Sequence, residues 1–131
     1  MATIDRFEDL IAWQKAKKLA LGVYTLTNVG IFSKDFGLRD QVRRSSISVV
    51  SNIAEGFERK GNREFLQFLY ISLGSLGELK TQIEIAFELN YFSENEYKNI
   101  LPQITEVRKI INGLISSLKD SDFKGIKFKY S

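Results

Sequence analysis

The chain has 131 residues, 44% of them hydrophobic and 27% charged, with a formal net charge of +3. That balance suits one globular domain large enough to bury its own core. It contains neither cysteine nor histidine, which excludes disulfides, thiolate zinc sites, cysteine nucleophiles and the commonest base and metal ligand near neutral pH.

Charge is polarised along the sequence. Residues 1–63 hold 11 basic and 7 acidic side chains, residues 64–118 hold 4 and 7, and residues 119–131 hold 4 and 2. Such a distribution permits a polyanion partner without requiring one. The N-terminal MATIDRFEDL has early acids and no apolar signal core, so the sequence reads as a cytoplasmic protein of bacterial type. The uncharged runs Leu19 to Ser33 and Phe65 to Gly77 are both shorter than the ~20 apolar residues a membrane span needs.

The first helical segment is expected from about Asp9 to Leu26, with Trp13, Ala16, Ala20, Val23 and Leu26 on one stripe. A connector, Asn28 to Gly37, follows, and its Val29, Ile31, Phe32 and Phe36 are expected to tuck against the body. The second segment runs from about Leu38 to Glu58. One stripe reads Leu38, Val42, Val49, Ile53 and Phe57; a neighbouring one reads Gln41, Ser45, Ser48, Asn52 and Glu55. From Ser45 to Ala54 there is no formal charge. A soluble helix usually keeps a charged stripe toward water, so this one is expected to be covered on more than one side. Serines there let a neighbouring backbone come close.

Gly61 breaks the chain, and Asn62 is a plausible cap for a third helix over about 62–89. Gly74 and Gly77 sit inside it, each costing roughly 1 kcal/mol relative to alanine, which makes sense if another helix crosses closely. Ser93 to Glu96 has the capping-box pattern, serine then glutamate three residues on. The fourth helix is expected over about 93–118, with a kink or a late start near Asn99 because of Pro102. Residues 1–118 then form one domain and 119–131 a basic C-terminal tail. In that tail Ile126, Phe128 and Tyr130 alternate with lysines, with no evident strand to pair with, and it reads as a surface-draped terminus. Four helices with short links give an all-α, antiparallel up-and-down four-helix bundle.

The residues in hand resemble the small four helix bundle protein family, also called 23S ribosomal RNA intervening-sequence proteins. The match is carried by Leu10-Ile11-Ala12-Trp13-Gln14-Lys15-Ala16, Phe36-Gly37-Leu38, Arg43-Arg44 with Ser51-Asn52-Ile53-Ala54-Glu55-Gly56, Phe65-Leu66-Gln67-Phe68-Leu69 and Gly74-Ser75-Leu76-Gly77-Glu78-Leu79. It covers about Phe7 to Tyr91. Two departures stand out: Val49-Val50 where the family often has proline, and Gly30-Ile31-Phe32-Ser33 where it usually has Phe-Pro. They bear on local bends. The resemblance implies a ring-shaped homopentamer; the family is also similar to accessory variability determinant proteins of diversity-generating retroelements, pentameric bundles that bind nucleic acid.

Arg39, Arg43, Arg44, Arg59, Lys60 and Arg63 are the candidate nucleic-acid contacts, since arginine forks suit phosphate. The competing reading is pairing with Glu55, Glu58 and Glu78 across the helical hairpin, and no aromatic side chains interleave these clusters as base-stacking platforms do. Gln41, Ser48, Asn52, Glu55, Gly56, Gly74 and Gly77 form the candidate structural and oligomer motif, polar groups that satisfy one another and fix register. No catalytic residue, metal site, cofactor or small-molecule substrate is evident. Glu55 with Glu58, and Glu84 with Glu88, share helix faces, but a carboxylate-metal hydrolase ranks behind plain solvation. The functional expectation is a non-enzymatic homo-oligomer that binds RNA or DNA weakly. The alternative is a protein-interaction adaptor with no nucleic-acid role.

Overall fold

The computed structural model describes residues 2–121 and 129–130. Its body is four helices: α1 (Ile11–Thr27), α2 (Phe36–Glu58), α3 (Asn62–Glu88) and α4 (Glu94–Asp120). Helix α2 packs on α1 and α3, α3 on α4, and α4 back on α1, closing an up-and-down bundle. Phe7–Asp9 forms a 3₁₀ turn that leads into α1. Two-residue strands β1 (Ala2–Thr3) and β2 (Lys129–Tyr130) pair antiparallel, joining the two ends of the chain. The tail's alternation therefore does find a partner at Tyr130, and α4 reaches past the expected end at 118. Ile126 and Phe128 lie outside the described residues.

Helical spacing puts one apolar row of each helix inward. Val23, Val42, Val49, Ile53, Phe65, Leu69, Leu76, Leu79, Ile83 and Ile111 are fully buried. In the connector only Phe32 is; Val29, Ile31 and Phe36 are exposed, so three of the four residues expected to tuck in do not. The cause is local. Residues Ile31–Lys34 form a tight 3₁₀ turn, and a single turn points one side chain inward. Phe32 fills that place against Tyr91 and Phe92.

Helix ends are set by side chains. The Asp35 carboxylate accepts from the Leu38 amide at 3.1 Å and starts α2 two residues before the expected Leu38. It also accepts the Tyr91 hydroxyl at 2.7 Å, so one residue ties both connectors at this end of the bundle. These bonds hold the Asp35 carboxyl below its usual value and push the Tyr91 phenol above its own. The Ser93 capping box forms in full. It starts α4 at Glu94, so the late start expected from Pro102 does not occur; the helix runs unbroken through that exposed proline. Asn62 does not cap α3 either. Gly61 holds that position without a side-chain bond, and buried Asn62 reaches the Ser121 carbonyl at 3.4 Å instead.

Candidate functional site on the second and third helices

Helices α2 and α3 meet along a seam of small polar residues. Ser45 donates to Gln82 Oε1 at 2.9 Å, the hydroxyls of Ser48 and Ser75 bond at 2.7 Å, and Ser72 donates to the Val49 carbonyl at 2.6 Å. Asn52 donates to the carbonyl and hydroxyl of Ser48 at 2.8 and 3.0 Å. Each hydroxyl that crosses the seam has a partner, and paired polar groups of this kind fix one register. Gly56 ends the seam. A Cβ built there would stand 2.6 Å from Phe68 Cβ and 3.0 Å from Phe65 Cδ1, so this glycine is where the backbones come close.

Gly74 and Gly77 behave differently. No atom lies within 4 Å of a Cβ built at either, so the helix crossing expected at these glycines is absent among the described residues. They open outward. The register of the seam places the uncharged stretch of α2, Ser45 to Ala54, beside the uncharged stretch of α3, Phe65 to Gly77. On the outer side of α2 Ile47 is 44% exposed, one turn before exposed Ser51, and on α3 Ile71 is 51% exposed, one turn after exposed Gln67. The α2 and α3 positions Ile47, Ser51, Gln67, Ile71 and Gly74 carry no charge, while the exposed Tyr70 ring lies under Lys119, whose Nζ is 5.8 Å from its centre.

Two clefts border it. One, about 570 Å³, is lined by Tyr24, Asp40, Arg43, Arg44, Ile47 and Ser48; the other, about 390 Å³, by Gln41, Arg44, Ser45, Ser48, Glu78 and Gln82. The candidate cations divide accordingly. Arg43 is held, its Nε donating to Thr27 Oγ1 at 2.8 Å and its guanidinium 4.6 Å from the Tyr24 ring centre. Arg39 pairs with Asp40 at 3.0 Å and donates to the Ser33 carbonyl at 3.0 Å. Arg59 pairs with Glu55 one turn back at 3.1 Å. Arg44, Lys60 and Arg63 are exposed and make no ion pair among the described residues. Of the three glutamates expected to take arginines, Glu55 does so; Glu58 and Glu78 do not among the described residues. Lys60 adopts a left-handed φ of 64°, ending the α2 turn.

Carboxylates elsewhere are engaged or apart. Glu84 accepts the Tyr97 hydroxyl at 2.7 and 2.8 Å through its two oxygens, which raises the Tyr97 phenol above its usual value. No group of three or more carboxylates that could hold a metal gathers among the described residues. No helix among them is long and apolar enough to cross a membrane.

In the second cleft, Glu78 was expected from the sequence as a partner for the arginines of α2, whereas Gln82 was not singled out.

The model of the family described as 23S rRNA-intervening sequence protein matches residues 8–113. A crystal structure of a protein of unknown function from the S23 ribosomal protein family of Bacteroides thetaiotaomicron has a TM-score of 0.75 to this chain. It is 22% identical and the match covers 81% of this chain and 96% of that one, a likeness of fold. No curated protein matches the sequence. The chain belongs to the 23S rRNA-intervening sequence protein family.

Proposed function

We propose that this member of the family is a non-enzymatic helical scaffold that works as an assembly of copies joined through the outer face of α2 and α3. One observation carries the reading: Ile47, Ser51, Ile71 and Gly74 are uncharged, exposed positions of α2 and α3 that nothing among the described residues covers. Apolar surface exposed this way gains free energy when another protein surface covers it, at roughly 25 cal/mol per Å². Gly74 adds a stretch of α3 backbone that a neighbour can approach. The homopentamer implied by the family resemblance is the stoichiometry we carry forward. Light scattering at micromolar concentration tests the reading, and a species five times the 15.0 kDa chain is the expected result. A single-chain mass would end it.

A second reading, weak polyanion binding, is supported by exposed Lys60 and Arg63 at the start of α3. In an assembly these cations repeat in every copy, and their fields add. Binding of a mixed-sequence RNA or DNA probe should then weaken steeply with salt. It should also fall on Lys60→Gly combined with Arg63→Ala. Affinity indifferent to both leaves a protein adaptor with no nucleic-acid role.

A further inference from the structure

We infer that Arg44 and Glu78 are the two halves of an ion pair made between copies of the chain, seated in the groove between α2 and α3. The inference rests on the self-association reading above and specifies it.

The two side chains line the same 390 Å³ groove from opposite walls, Arg44 on α2 and Glu78 on α3. They stand at one level of the bundle. Arg44 is one turn before Ser48, Glu78 is three residues beyond Ser75, and those two serines are bonded at 2.7 Å. Yet neither Arg44 nor Glu78 makes an ion pair among the described residues. Asp40, which lines the other cleft with Arg44, already holds Arg39. The amides are divided as well, since Gln82 receives Ser45 and keeps its own N–H groups for another acceptor.

The groove therefore presents one open guanidinium and one open carboxylate, at the edge of a neutral face. In a ring closed head to tail, a groove that carries both signs unpaired offers its cation to one neighbour and its anion to the other. Around such a ring the Arg44 of one copy meets the Glu78 of the next. The same contact covers Ile47, Ile71 and Gly74, which a small zwitterionic ligand in the groove would leave in water. An arginine fork on a carboxylate also gives two parallel bonds, which fix orientation as well as adding attraction. Arg44 is thereby withdrawn from the set of cations free to meet a nucleic acid.

Charge reversal of the full chain tests this, read by sedimentation equilibrium. Arg44→Glu and Glu78→Arg should each weaken self-association at least about tenfold, as close interfacial charge pairs do. Arg44→Glu combined with Glu78→Arg in one chain should restore it. The milder Arg44→Gln and Glu78→Gln, checked by circular dichroism for an intact fold, should weaken it in the same direction. Wild-type chain that assembles while the single variants assemble equally well overturns the pairing alone. A double variant no better than the single ones also overturns it. A wild-type monomer overturns both the pairing and the assembly beneath it.

Discussion

The seam between α2 and α3 and the outer face of the same two helices are both free of charge, yet they are met in opposite ways. Along the seam every crossing hydroxyl has a partner and Gly56 touches Phe68. On the outer face Ile47 and Ile71 are half exposed, and a Cβ built at Gly74 meets nothing within 4 Å among the described residues. Missing charge along a sequence thus has two separate causes here. One is a neighbouring helix inside the domain; the other, on our reading, is a neighbouring copy outside it. Substitutions separate them because each face responds to different changes.

The largest effect belongs to the seam's apolar floor. Phe65 is fully buried and packs edge-on against Phe57. Phe65→Ala should cost about 3–5 kcal/mol in chemical denaturation. Gly56→Ala comes next. The clashing atom is Phe68 Cβ, which sits on helix backbone and cannot swing aside, so the helices must part. A loss of about 1–3 kcal/mol is expected.

Gly74→Ala has the opposite sign. With open space around it, the methyl meets nothing, and the chain should gain up to about 1 kcal/mol from helix propensity. The same methyl should weaken assembly, so thermal stability rises in dilute solution while association falls. If Gly74→Ala destabilises the dilute chain as Gly56→Ala does, the contrast between the faces is wrong. Lys60→Gly should be milder, a gain of about 0.5–1 kcal/mol from relieving a left-handed residue. A denaturant midpoint raised at unchanged slope would confirm it.

The apolar stripes, the four helices and the Ser93 capping box were all legible in the sequence, because each depends on spacing within one element. What spacing leaves open is direction. The period of α3 places Gly74 and Gly77 on a face but does not say whether another helix stands there, and Gly56 was equally visible without its contact to Phe68. Asn62 looked like a cap because the residue type suits one. Its actual bond, to Ser121, joins positions 59 residues apart. The link from Asp35 to Tyr91 spans 56 residues and was invisible for the same reason. The candidate cations were legible as residues, whereas which of them are held depended on tertiary partners: Thr27 and Tyr24 for Arg43, Ser33 and Asp40 for Arg39.

That connector link gives the smallest prediction, and it lies away from both faces. Asp35 titrates below its ordinary 3.8 in the folded chain. Its stabilisation is therefore complete above that value and is lost as pH falls through the lower, folded-state one. The phenols of Tyr91 and Tyr97, raised above 10.0, lose theirs as pH rises through their folded-state values. Asp35→Asn should flatten the acid limb of a melting-temperature profile and leave the alkaline limb in place through Tyr97. An unchanged acid limb would show that Asp35 does not set it.

The central claim is that the outer face of α2 and α3, and not the seam, is where copies meet. Hydrogen exchange of the wild-type chain, compared between dilute monomer and concentrated solution, tests it most directly. The account predicts added protection at the outward amides around Ser51, Ile71 and Gly74 as concentration rises, with seam amides around Val49 and Ser72 already protected and unchanged. Added protection elsewhere with none on that face, or no change anywhere in the chain, would contradict it.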